Sequence, residues 1–290
     1  MTEVATDIWE IGYNDPDYPG ILKEIADAPR KLYVRGNLDW MGGKKIAVVG
    51  SRKPTPYGVQ ATARLIEPVA RSCVIISGLA YGVDSLAHQA ALKAGGITVA
   101  ILGSGLDDNS IYPARHLGLA HEILRSGGAL ISEHPPGTPP MKHHFPLRNR
   151  IIAGLADRLV VIEAGEGSGA LITAKLALDY NRDVLAMPGQ IFSPNSYGTN
   201  WLITQGAQPV LKPSDIADIA SQKDATNLTE VEKIIYNTLV PGPKLLDEIV
   251  QVSGLAISIV NSTLTMLEMK GLVMNTGKGT FAVASTQNNE

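Results

Sequence analysis

From Lys44 onward, short continuous apolar runs alternate with stretches in which apolar residues recur every three or four positions. KKIAVVG, CVIISG, ITVAILG, ALISEH, RLVVIEA and DVLAMPG are short, rich in β-branched residues, and mostly end in glycine. Runs of this kind suit strands buried on both faces of a parallel sheet. Between them, DSLAHQAALKAG and SGALITAKLALDYN carry helical spacing. The alternation predicts a doubly wound, mainly parallel α/β domain over residues 44–220, in which ligands bind beyond the carboxyl ends of the strands. The loops after VVG, ISG, ILG, SEH, IEA and MPG are therefore the places to look for chemistry.

The pattern changes at residues 221–227, SQKDATN, which have linker composition. Three helical segments follow, TEVEKIIYNTLV, LLDEIVQVSG and AISIVNSTLTMLEMKGLV, then the β-like NTGKGTFAV. That order predicts a small winged helix over residues 228–285, with Val260, Leu264 and Leu267 at i, i+4, i+7 facing its core. Residues 286–290 are expected to be a disordered tail. Residues 1–43 are a weakly periodic lead-in, with DYPGIL and LYVRGNL as its ordered-looking pieces.

Composition narrows the classes. A 290-residue chain with 44% hydrophobic and 18% charged residues is ordinary for a globular protein of one large and one small domain. MTEVATDIWE has neither a basic region nor an apolar core of a secretory signal, and no apolar run approaches the roughly 18–20 residues of a membrane span. The expectation is a cytoplasmic protein with no membrane partner. The single cysteine, Cys73, excludes an intrachain disulfide framework and suits packing within CVIIS. A net charge of −3 argues against a surface that coats nucleic acid but leaves room for a local basic groove.

Such a groove has a candidate in MKHHFPLRNR, residues 141–150: Lys142, Arg148 and Arg150 surround Phe145, with no Asp or Glu between Pro135 and Ala156. The segment follows the ALISEH strand and so belongs to the ligand edge. Cations that track phosphates beside an aromatic that stacks a splayed base suit single-stranded nucleic acid. On the same edge, GSRKPTPYG places Gly50, Ser51 and Arg52 in the first strand-to-helix turn. There backbone amides, the following helix N-terminus and a guanidinium fork would cradle a phosphate; a tight turn with a solvent-facing Arg is the plainer alternative. A second glycine-bearing helix start, GEGSGALIT, offers Gly167, Ser168 and Gly169, with Ser168 either bonding a phosphate oxygen or capping the helix. Asp84 reads as an N-cap and His88 as a structural histidine.

Other chemistries find little support. His134, His143 and His144 have no zinc-motif spacing and no completing carboxylate, so no metal is expected. GSRKPT is not a dinucleotide fingerprint, and Walker A, nucleophile-elbow and H-E-x-x-H motifs are missing. No nucleophile, base and orienter assemble, so neither an enzyme nor a cofactor is expected.

GSRKPTPYG, ISGLAYGVDSLAHQAAL, FPLRNRIIAGLAD and GSGALITAKLALDYNRDVLAMPG, in this order, resemble the DNA-processing protein A family (DprA, also called Smf). The similarity runs from DYPGIL to NWLITQGAQPVL and extends to the winged helix. The resemblance implies an extended Rossmann-like fold. It also implies a single-stranded-DNA-binding recombination mediator that dimerises, protects incoming strands and loads RecA during natural transformation. Carried over by motif, the implied DNA pocket comprises Arg52 of the GSR turn, Lys142 and Phe145, Arg148 and Asn149, and the Gly167–Gly169 loop. The rival class is a phosphoribohydrolase-type nucleotide-processing enzyme. Aligned on GEGSGALIT, its catalytic carboxylate position is held by Ile172 and Thr173, with no acid before Asp179; release of free base from nucleoside monophosphates would discriminate the two.

Overall fold

The computed structural model describes residues 7–217, 228–240, 242–270, 272–277 and 279–283. The chain divides into two compact units, Met1–Ala217 and Asp218–Glu290. In the first, nine strands form one sheet: β1 Ile8–Gly12, β2 Lys31–Gly36, β3 Lys45–Val49, β4 Val74–Ser77, β5 Thr98–Leu102, β6 Ala129–Ser132, β7 Arg158–Val161, β8 Asp183–Ala186 and β9 Gln208–Pro209. Their order is β1-β2-β6-β5-β4-β3-β7-β8-β9. The six apolar runs of the sequence are β3 to β8, and β3, β4, β5 and β6 are buried along their whole length. The helices are α1 Pro56–Ala70, α2 Val83–Lys93, α3 Leu117–Arg125, α4 His144–Leu155, α5 Gly169–Asp179, α6 Tyr197–Thr204 and α7 Pro213–Ile216.

From β6 through β9 all pairs are parallel. The chain advances from β3 outward to β6, then α4 carries it back so that β7 pairs with the other side of β3. The loops after β3 and β7 therefore leave on opposite faces of the sheet, and a crevice opens between them.

The lead-in 1–43 is corrected by the structure. Its described part is built into the large unit: β2 pairs antiparallel with β6, and β1 with β2. Ile11, Tyr18, Leu22, Ile25 and Leu32 belong to the main core. Gly154 admits the Gly20–Glu24 turn against α4, where a Cβ would lie 2.8 Å from Leu22 Cδ1. The segment escapes detection by periodicity because its strands are short and half-exposed, and its helical turns are 3-10 turns of five and four residues.

The second unit contains α8 Glu230–Leu239, β10 Lys244–Leu245, α9 Leu246–Ser253, α10 Ile257–Met269, β11 Val273–Gly277 and β12 Thr280–Val283. The strands pair antiparallel in the order β10-β12-β11, a winged helix. Val260, Leu264 and Leu267 are buried as their spacing predicts, with Ile235, Ile249 and Phe281 completing the core. Thr229 and Glu232 close a capping box that starts α8. The expected linker 221–227, Lys278 and the tail 286–290 lie outside the described residues.

Candidate nucleic-acid interface

A cleft of about 810 Å³ opens at the switch point. Gly50, Ser51 and Arg52 reach it from the loop after β3, Lys142, Phe145, Arg148 and Asn149 from the start of α4, and Ser168 and Gly169 from the start of α5. Segments about ninety residues apart in sequence thus meet on one rim. Four cationic side chains, Arg52, Lys53, Lys142 and Arg148, line the cleft against one carboxylate, Asp84. Arg52, Lys53 and Lys142 are exposed, and among the described residues none of them enters an ion pair. The Arg52 guanidinium lies over the Phe145 ring, 5.8 Å from its centre, and Tyr112 tilts against the same ring at 5.6 Å.

Helical geometry sorts the cluster MKHHFPLRNR. Phe145, Arg148, Asn149 and Ile152 follow i, i+3, i+4, i+7 and share the face of α4 that lines the cleft. Arg150 stands five residues beyond Phe145, about 140° around the helix. It points elsewhere: Nη2 donates to both Glu133 carboxylate oxygens at 2.6 Å, and Nε lies 3.7 Å from Asp27. The structure therefore does not bring Arg150 into the cleft.

Arg148 does reach it, but as a buried cation rather than an exposed fork. It is 5% exposed, and its Nη1 donates to the Ile101 carbonyl at 2.6 Å. Burial lowers its pKa to about 10, with Asp84 opposing that shift, so it remains charged at neutral pH. Gly78 makes room for it, since a Cβ there would fall 1.7 Å from Arg148 Nη1.

Asp84 is the cleft residue that motif reasoning misassigned. The N-cap of α2 is Gly82, and Asp84 is buried in the helix's first turn. Burial raises its pKa, opposed by Arg148, the Ala80 and Gly78 amides and Arg52. The available signal was its place just after a glycine-bearing loop on the ligand edge.

The first turn also differs from expectation. The N-terminus of α1 is occupied by Glu163, whose carboxylate accepts from Thr55 N at 2.9 Å and from the Thr55 hydroxyl, while Thr55 caps Gly58 N. A carboxylate from the end of β7 thus already satisfies the anion site that GSRKPTPYG suggested. The helix start that opens on the cleft is that of α5, where Ser168 Oγ accepts from Ala170 N at 3.3 Å and caps the helix. Gly167, at φ +70°, makes the turn before it and does not line the cleft.

Several histidines pack against neighbouring groups. His88 is buried, and Thr98 Oγ1, which donates to the Ile75 carbonyl, accepts from His88 Nδ1 at 2.7 Å. His134 stacks on His144 at 3.9 Å, and His143 meets His144 edge-on at 4.5 Å. His144 Nδ1 donates to the Gly103 carbonyl at 3.1 Å. Among the described residues no group of three His, Cys, Asp or Glu is placed to hold a metal ion.

Residues 9–221 match the sequence model of DNA recombination-mediator protein A, and residues 220–277 match that of the DprA winged helix domain. The chain belongs to the DNA recombination-mediator protein A family. Relatives in this family include protein Smf of Escherichia coli, 46% identical over 69% of this chain and 54% of that protein. This chain thus spans about half of that relative's length. The crystal structure of DNA processing protein A from Streptococcus pneumoniae superposes with a TM-score of 0.68 at 41% identity, covering 73% of this chain and 74% of that one. DNA processing protein A from Helicobacter pylori, whose structure addresses its unique single-stranded DNA binding mode, gives a TM-score of 0.65 at 31% identity over 72% of this chain and 93% of that one. Family membership thus agrees with the mostly parallel sheet and the winged helix.

Proposed function

We propose that this family member is a recombination mediator that binds single-stranded DNA in the switch-point cleft. The observation that carries the reading is the juxtaposition of three unpaired cations, Arg52, Lys53 and Lys142, with the Phe145 ring and the open α5 N-terminus. The cations hold phosphates, the N-terminal end of α5 adds a positive field, and an unpaired base reaches Phe145. A duplex keeps its bases stacked inside and offers only its backbone. The single-strand binding mode described for the H. pylori relative supports this assignment. Protection of incoming strands and loading of RecA onto them during natural transformation are the finer functions that family membership suggests. Self-association is supported by exposed apolar side chains on the large unit: Ile191, Phe192 and Leu211 are 79%, 91% and 77% exposed, and Trp201 is half-exposed.

The winged helix has a different role in this reading. Between residues 224 and 290 four lysines face seven acids. Lys233 pairs with Glu230 and Lys270 with Glu232, both within 2.8 Å. The outer face of α10 carries Ser258, Asn261, Ser262 and Thr265 with exposed Met266 and Met269. An uncharged face suits a protein contact better than a phosphate backbone.

Titrating the full chain with fluorescent oligo-dT and with duplex DNA of equal length, at one salt concentration, tests the proposal. Tighter binding of the single strand is expected; equal affinity overturns it.

A further inference from the structure

Beyond the cleft, Arg52 also borders a second depression on the ligand edge. Its far side faces a shallow groove of about 550 Å³ walled by Lys53, Pro54, Val59, Tyr81 and Leu86. Two loops build it. Gly82, at φ +79°, lets the loop after β4 press onto the loop after β3, where a Cβ would fall 2.3 Å from the Ser51 carbonyl oxygen. Val83 N donates to that same carbonyl at 3.1 Å. Leu79 is buried at φ +59°, a left-handed conformation that a branched residue adopts only when its surroundings enforce it. His116 Nδ1 donates to the Leu79 carbonyl at 2.8 Å and its ring meets Tyr81 edge-on at 5.0 Å. Tyr81, 39% exposed, is thus held in place by its neighbours while its ring remains open to solvent.

The groove and the cleft are continuous through Arg52. Arg52, Tyr81, Tyr112 and Phe145 also border one small cavity between them. Among the described residues no acid lines the groove, while two cations, an aromatic ring and apolar Val59 and Leu86 do. That combination has the chemistry of one more nucleotide: cations for a phosphate, an aromatic and an apolar wall for a base.

We infer that the groove beside Tyr81 is a second base subsite, so that the strand crosses the rim over Arg52 with one base in the Phe145 cleft and its neighbour against Tyr81. The inference rests on the cleft reading above. Arg52 then holds the phosphate between the two bases, and Lys53 the next one.

The test uses the full chain and labelled oligonucleotides of equal length: wholly abasic, with a single thymine, or with a second thymine added on the 5′ or the 3′ side. One of the two-thymine strands should bind wild type about tenfold more tightly than the single-thymine strand, the scale of one stacked base. Tyr81→Ala should abolish that gain, and Tyr81→Phe should retain it. Lys53→Ala should reduce the slope of log K against log salt by about 0.7. A single thymine that binds no better than the abasic strand overturns the cleft reading and this inference together. A single thymine that binds while the second adds nothing, or a gain that survives Tyr81→Ala, overturns the second subsite alone.

Discussion

Arg52 and Phe145, ninety-three positions apart by their numbers, meet with the guanidinium 5.8 Å from the ring centre. The contact orients the one arginine fork exposed to the cleft, so each residue contributes through the other. Arg52→Ala and Lys142→Ala should each weaken single-strand binding, and Phe145→Ala should cost about 1–3 kcal/mol. With three exposed cations engaged, log K should fall against log salt with a slope near −2, and each removed cation should flatten it by about 0.7. Fluorescence anisotropy across a salt series checks both; unchanged affinity in the Arg52/Lys142 double variant would rule out this cleft. Because Arg150 is committed to Glu133, Arg150→Gln should leave the slope unaltered.

Glu163 anchors the loop that carries Arg52 by accepting from Thr55 N and its hydroxyl. Glu163→Ala strands the half-buried Thr55 N–H and should destabilise the large unit by about 1 kcal/mol. For a unit of this size that corresponds to a fall in Tm of about 2–4 °C per kcal/mol. Calorimetry should find the loss in the large unit's transition, with Glu163→Gln milder because one acceptor oxygen remains.

His88 predicts an acid dependence of stability. Burial, then the neighbouring Arg148 and His116, push its pKa down to about 3. The unfolded imidazole takes up its proton near 6.5, so the folded chain binds fewer protons between those values. Its contribution is therefore intact above pH 6.5 and is lost as pH falls toward 3, by up to about 1.4 kcal/mol per pH unit. Urea midpoints measured from pH 7 to pH 5 should fall less steeply in His88→Gln than in wild type.

Removing the winged helix should spare single-strand binding. Among its described lysines, Lys233 and Lys270 are paired with glutamates, which leaves few donors for phosphate. A chain truncated after Ser221, confirmed to be folded and still self-associated, should bind oligo-dT within a few-fold of the full chain. A tenfold loss would place the principal DNA contacts in the removed domain.

Local pattern was enough for the six strands β3 to β8, for α2 and α5, and for the winged-helix core residues Val260, Leu264 and Leu267. Each of these repeats its signal within a few residues, because burial on both strand faces or one helix face dictates residue type at fixed spacing. The ligand edge was legible for the same reason, since parallel strands put all their carboxyl ends on one side. The partners of a polar side chain follow no such period. Arg148 and Arg150 are two residues apart, yet one sinks beside Asp84 and the other pairs with Glu133. Thr55 depends on Glu163 for its cap, and the half-exposed strands β1 and β2 depend on the edge of β6 for their pairing. Charge and glycine content marked out the proposed rim. Which cations face it was decided only when α4 packed on the sheet, because helix rotation and the nearest available carboxylate are properties of the assembled fold.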